Sequence, residues 1–300
     1  MTDLLFSCEP RATVQYLYAA GELVSFETLA LEPLSNVDWA DPGMGERLLP
    51  CHWDRDTDQA CRRPALRCAI VDWIESQAGP MSRQEVLDLF CGCGTLTQEC
   101  AARGVPRYCG VDINPVLVRA GRKNAPNGAV FHCDDVVDFV ASSDLGRFSV
   151  ILLLYECLNA LGKITATALL HQLERRCAPG TWIFGDTRAN AQCPGLHYEA
   201  ISDCPYLVET TSDLVIREYG HTRDLRFFGN RYISVHRRPL RIAAVHSMLE
   251  LYSLQELKSM VTAAGLQLIA TKRLLQGYAT DVPESSSNIF FVTRTRGPLG

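Results

Sequence analysis

The chain has 300 residues, 47% of them hydrophobic, and a formal charge of −5 at pH 7. That length suffices for one large domain with additions around a buried core, and the negative charge gives no overall attraction for nucleic acid or anionic lipid. No apolar run reaches the ~18 residues of a membrane span, and the first residues lack the basic-then-apolar pattern of a signal peptide. The 13 cysteines are odd in number, dispersed and without a Cys-x-x-Cys spacing, so the expectation is a cytoplasmic protein in a reducing compartment.

Residues 1–80 carry helical periodicity, with Val14, Leu17, Tyr18 and Leu23 at three-and-four spacing. Ala40-Asp-Pro-Gly-Met-Gly reads as a loop, Cys51-His-Trp-Asp-Arg-Asp-Thr-Asp58 as a polar aromatic segment, and Cys61 to Ser76 as a second helix.

Residues 81–196 alternate short apolar runs with helices expected near 95–103, 114–124 and 162–176, the pattern of a parallel sheet with right-handed crossovers. Val86-Leu-Asp-Leu-Phe-Cys-Gly-Cys-Gly-Thr-Leu-Thr97 reads as a buried strand, a glycine turn and a helix start. Gly92 and Gly94 there accept positive φ and allow close approach. Asp88 ends the strand, where a fixed negative charge repels the pyrophosphate of a dinucleotide. A ligand with a cationic centre is expected instead, and S-adenosylmethionine carries a sulfonium and an α-ammonium group and no phosphate. A second strand, Arg107–Asp112, ends in an acid 20 residues after Gly92, the place of a ribose-binding carboxylate. A third, from Phe131, puts either Asp134 or Asp135 where an adenine amino group would lie, and Phe148–Tyr155 and Gly180–Asp186 are the fourth and fifth. Cys91 and Cys93 read as small pocket residues, and no metal site is expected.

Residues 197–250 change to two-residue alternation, with strands expected at Tyr206–Thr210, Leu214–Tyr219, Arg226–Val235 and Ile242–Leu249. Seven arginines face two acids between Arg217 and Arg241, which makes either a patch for an acidic substrate or the wet face of a sheet. Ser253-Leu-Gln-Glu256 is a capping box that opens a helix ending at Gly265, and Leu266–Leu275 with Asn288–Arg294 form a terminal hairpin.

These segments, in this order, resemble motifs I to V of the class I S-adenosylmethionine-dependent methyltransferases. Asp38-Trp-Ala-Asp-Pro, His52–Arg63, Leu152–Asn159 and Leu251–Leu257 resemble signatures of a bacterial small-molecule subgroup. Phe90 departs from the first glycine of the usual Asp-x-Gly-x-Gly-x-Gly. The resemblance implies a Rossmann-like α/β fold with a seven-stranded sheet, a helical N-terminal cap (1–80), a cofactor-binding core (81–196), an antiparallel β lid insertion (197–250) and a C-terminal helix and hairpin (251–300). It implies cofactor binding by Asp88, Leu89, Phe90, Cys91, Gly92 and Gly94 in the first turn, and by Asp112, Ile113 and Asn114 after the second strand. Asp134, Asp135 and Val136 would follow from the third strand, and Leu154 and Tyr155 from the fourth. His52, Trp53 and Arg62 or Arg63 are candidates to face the methionine carboxylate or the substrate, with a solvated loop as the alternative. Tyr155, Glu156, Asn159 and His52 are the catalytic candidates, and no base is chosen among them. The expected function is methyl transfer to a small molecule, with neither nucleic acid nor membrane as partner. The alternatives on the same fold are cyclisation of the cofactor's own side chain and binding without catalysis.

Overall fold

The computed structural model describes residues 8–31, 34–56, 60–189, 195–202, 204, 206, 212–272 and 288–296. Contacts divide the chain into two compact units, one of residues 1–38 with 190–251 and one of residues 39–189 with 252–300. In chain order the first unit opens with α1 (Pro10–Ala19) and α2 (Phe26–Leu29). The second unit follows with α3 (Pro42–Trp53), α4 (Pro64–Ala78), β1 (Glu85–Leu89), α5 (Leu96–Ala102), β2 (Arg107–Asp112), α6 (Pro115–Lys123), β3 (Ala129–Cys133), α7 (Val136–Ser142), β4 (Val150–Leu153), α8 (Cys157–Arg176) and β5 (Trp182–Arg188). The chain returns to the first unit for β6 (Leu196–Ile201), β7 (Leu214–His221), β8 (Phe227–Arg237) and β9 (Leu240–Glu250), then closes the second with α9 (Leu254–Ala263), β10 (Gln267–Lys272) and β11 (Asn288–Arg294).

The larger unit is built on a seven-stranded sheet in the order β10-β11-β5-β4-β1-β2-β3, parallel except at β10 and β11. Strand alternation sends residues to two apolar layers. Leu87, Leu89, Ile151, Leu153 and Ile183 pack with Val140, Leu169, Leu173, Leu257 and Val261 of α7, α8 and α9. Val86, Val150, Leu152 and Phe184 pack with Ile70, Trp73 and Ile74 of α4, Cys100 of α5 and Val118 of α6. Trp73 meets Phe184 edge-on at 5.3 Å. Each such side chain contributes roughly 1.5–3 kcal/mol by leaving water, which makes this sheet the rigid platform of the unit.

The smaller unit is an antiparallel sheet, β6-β7-β8-β9. Val14, Leu17 and Leu23 cluster with Ile216, Ile233 and Val235, and Phe26 and Leu29 cluster with Met248. The segment after α2 runs along β9, with Ser35 bridged to Ser247.

Four local expectations are corrected. Ala40–Gly45 is not a loop: Asp41 accepts the Gly43 and Met44 N–H groups and Pro42 starts α3, an N-cap followed by proline that the two glycines disguise. The helix expected at 162–176 is present but is preceded by a short helical segment from Cys157, the two meeting at a kink at Gly162, where φ is 74°. The helix expected from Cys61 runs instead from Pro64 to Ala78, because Pro64 has no N–H to donate and sits best in a first turn. The insertion's first described strand is Leu196–Ile201, while most of the expected strand Tyr206–Thr210 lies outside the described residues. Among the described residues no helix is long and apolar enough to cross a membrane.

Candidate active site

β1 lies between β2 and β4, so the sheet's order reverses beside it and a crevice opens at the strands' carboxyl ends. Three left-handed residues shape the turn there: Phe90 at φ 66°, Gly92 at 55° and Gly94 at 71°. Glycine tolerates that region and phenylalanine does not, so Phe90 holds a conformation that the more usual glycine adopts without strain. The glycines also admit protein neighbours. A Cβ on Gly92 would stand 2.7 Å from His52 Cε1, and one on Gly94 would stand 2.4 Å from the Phe131 ring. The close approach inferred for a ligand is thus used in part by α3 and β3.

Asp88 differs from its expected role. It is buried and accepts the Tyr108 hydroxyl across β1 and β2. Burial pushes its carboxyl up to about 7, the Tyr108 hydrogen bond opposes this, and the Asp112 charge adds to it. Asp88 therefore holds its proton more tightly than an ordinary carboxyl and commits one oxygen to Tyr108. Leu89 and Val136 are core residues, Leu154 packs on the opposite apolar layer, and Cys91 stands against Gly110, where a Cβ would come within 2.7 Å of its sulfur. Burial raises the Cys91 thiol well above its ordinary range.

Asp112 ends β2 with both carboxylate oxygens on the backbone: Gly92 N–H donates at 2.8 Å and Asn114 N–H at 2.9 Å. Burial raises its pKa while these N–H groups hold it down. The Ile113 N–H also acts on it, and the carboxylate keeps acceptor capacity beyond these three donors. Ile113, beside it, is 38% exposed, and Asp134 and Asp135 are exposed just beyond β3. Asp135 caps α7, using one oxygen for both Val137 and Asp138 N–H groups.

Asn114 is committed elsewhere. Its Oδ1 accepts the Val116 and Leu117 N–H groups at the start of α6, and its Nδ2 donates to the Trp39 and Asp41 carbonyls. With two bonds on the oxygen and two on the nitrogen, its side chain is saturated. Its side chain joins α6 to the entry of α3.

At the end of β4, Tyr155 and Glu156 are both left-handed, at φ 71° and 61°. Asp186 of β5 accepts the Glu156 N–H at 3.0 Å and the Arg62 Nη2 at 2.7 Å. The Arg62 guanidinium lies 4.4 Å from the centre of the Tyr155 ring. Arg188 Nε donates to Glu156 at 2.9 Å, and Asn159, fully buried, brackets the Arg188 backbone through its amide. Two cations and two anions thus neutralise one another. Arg62 is engaged by protein carboxylates, and Asn159 is a cross-link between α8 and β5 rather than a group presented to substrate. Arg188 was not foreseen from the sequence; an arginine two residues beyond a strand-end acid is the only signal it leaves.

The remaining cap candidates separate. His52 rests on the glycine turn, and burial draws its imidazole down to about 4, so it is uncharged at neutral pH. Trp53 is 44% exposed, and Arg63 stands at the N-cap of α4 without a side-chain capping bond.

A family described as methyltransferase domain matches residues 54–271. Among curated relatives, the ubiquinone biosynthesis O-methyltransferase of Pseudomonas aeruginosa is 28% identical over 157 residues, 51% of this chain and 65% of that protein. That of Bordetella pertussis is 26% identical over 166 residues, 53% and 65% of the two chains. The chain thus spans just under two thirds of the length of these relatives. Among solved structures, the CcbJ methyltransferase from Streptomyces caelestis superposes over 85% of this chain and 98% of its own, with a TM-score of 0.59 and 20% identity. Magnesium protoporphyrin IX methyltransferase from Synechocystis PCC 6803, solved with S-adenosylmethionine bound, covers 91% and 98% at a TM-score of 0.50 and 11% identity. These two likenesses establish the fold, and the domain match takes in more than half of the chain. The chain therefore belongs to the class I S-adenosylmethionine-dependent methyltransferase family.

Proposed function

We propose that the protein is a methyltransferase that carries the methyl group of S-adenosylmethionine to a small-molecule acceptor. The observation that carries this reading is the carboxylate of Asp112 at the strand-end crevice, held by backbone N–H groups alone among the described residues and flanked by the exposed Ile113. A sugar with vicinal hydroxyls suits the spare lone pairs, and a planar base suits an exposed aliphatic side chain. The residues present fit an adenosyl group. Asp112 would hold the ribose. Asp134, or the second oxygen of Asp135, would meet the adenine amino group, and the turn from Phe90 to Gly94 would carry the amino-acid end. The names of the curated relatives, enzymes of ubiquinone biosynthesis, support a small acceptor.

When bound, the cofactor supplies an activated methyl group on a sulfonium, so the protein's task is alignment and exclusion of water. Tyr155, half-buried at the end of β4, is the residue proposed to orient the acceptor. His52, neutral beside Gly92, is a poor proton acceptor, since a base with a pKa of about 4 is weak at neutral pH. Glu156 is tied to Arg188 at 2.9 Å, so its carboxylate is engaged by the protein's own cation.

Titration calorimetry with S-adenosylmethionine tests the reading, with Asp112→Ala as the control, and absence of binding by the intact protein would end it. Incubation with cofactor alone should leave it intact. Accumulation of methylthioadenosine and a cyclic amino acid above the uncatalysed background would replace methyl transfer by cyclisation.

A further inference from the structure

Two successive non-glycine residues in the left-handed region are held only where their surroundings impose that conformation. For Tyr155 and Glu156 the imposing group can be named. Asp186 has no exposed surface, and its two oxygens do two different things. Oδ1 accepts the Glu156 N–H at 3.0 Å, which fixes the backbone of the turn. Oδ2 holds Arg62 Nη2 at 2.7 Å, and the Arg62 guanidinium in turn covers one face of the Tyr155 ring at 4.4 Å. Arg67 steadies the same segment by donating to the Arg62 carbonyl at 2.7 Å. One buried carboxylate therefore grips Tyr155 from the backbone side and, through Arg62, from the ring side.

We infer that Asp186 is a positioning residue that sets where the Tyr155 ring stands at the carboxyl end of β4. It touches no reacting group itself. The inference rests on the proposed function only in giving Tyr155 a place in the site, since the placement of the ring belongs to the protein without ligand. A purely structural ion pair would behave differently: its loss would lower stability and leave Tyr155 where it is.

The test reads the ring directly. The protein is labelled with 3-fluorotyrosine, its ten tyrosines are observed by fluorine NMR, and Tyr155→Phe identifies the resonance of interest. Asp186→Asn keeps an oxygen for the Glu156 N–H and removes the charge that holds Arg62. The Tyr155 resonance is expected to shift and broaden in this variant, while that of Tyr108, buried between β1 and β2 against Asp88, stays in place. A Tyr155 resonance superposed on that of the unaltered protein would overturn the inference. If Asp186→Asn does not fold, Arg62→Lys retains a cation for Asp186 and removes the planar group over the ring. An unchanged Tyr155 resonance in that variant would equally overturn it. The measurement needs no ligand, so a failure to bind S-adenosylmethionine would end the proposed function without bearing on this result.

Discussion

Arg231 in the smaller unit and Arg62 in the larger are both buried and both paired with carboxylates, yet they sit in different kinds of backbone. Arg231 leaves β8 in mid-strand, where Arg231 and Glu218 face each other in regular register. Its Nε donates to Glu218 at 2.9 Å, Tyr18 of α1 adds its hydroxyl to Glu218 at 2.8 Å, and the Val24 carbonyl takes a further Arg231 donor at 2.6 Å. Every partner belongs to the packing of a helix and its loop on a sheet. Arg62 instead precedes a helix and reaches the end of a parallel sheet, beside two left-handed residues that nothing in their own sequence favours. The same residue type performs fold assembly in one place and holds a strained turn in the other. What separates the two arginines is the backbone beside them, a regular strand register at Arg231 and a left-handed turn at Arg62.

The largest effect that would sharpen this contrast is Glu218→Ala, which leaves Arg231 buried without its carboxylate and should cost about 3–5 kcal/mol. Urea unfolding measures it. A loss below ~1 kcal/mol would mean that water reaches Arg231 and that the smaller unit is not assembled around this pair.

Asp88 tests the larger unit through pH. Its folded pKa, about 7, lies above the ordinary 3.8, so the folded state binds the proton more tightly than the unfolded chain. The stability it contributes is present below pH ~4 and is lost as pH rises toward 7, at up to about 1.4 kcal/mol per unit. His52 acts oppositely, because its folded pKa of about 4 lies below 6.5. Its contribution is full above 6.5 and is lost as pH falls toward 4. Denaturation at pH 5, 6 and 7 should show Asp88→Asn gaining on the unaltered protein as pH rises, and His52→Ala gaining as pH falls. Parallel curves would show that these groups are hydrated.

Asp112→Asn should weaken S-adenosylmethionine binding by about 1.5–3 kcal/mol, because a charged acceptor in a half-buried site is worth more than a neutral one. Equal calorimetric affinities would move the ribose site elsewhere. Smallest is Asn114→Ala, which removes a helix cap worth about 1 kcal/mol and frees the Trp39 and Asp41 carbonyls. Thermal unfolding should register it, with cofactor affinity changed less than in Asp112→Asn. A larger loss of affinity than of stability would return Asn114 to the ligand.

The sequence by itself determined the strands of the larger sheet and the order of most of its helices, though not the start of α3, α4 or α8, because hydrophobic period, glycine turns and caps are local signals. Val150–Leu153 is a short apolar run of the kind a buried strand makes, and Ser253–Glu256 writes its own helix start. It also determined that acids stand at the ends of β1, β2 and β3. Which of those acids is free to meet a ligand was decided only by tertiary structure, since Asp88 meets Tyr108 from the next strand and Asp112 meets only backbone N–H groups. Likewise Asn114 reads as a cofactor residue until α3 arrives to take its amide, and Asn159 reads as catalytic until β5 does. The same holds for Tyr155 and Glu156, whose left-handed turn depends on Asp186, 30 residues beyond Glu156 and one strand away. A side chain's hydrogen-bonding capacity is finite, and its partners come from elements distant in the chain. Residue type and spacing can announce a site, but only the folded neighbours decide which of its groups are left to act.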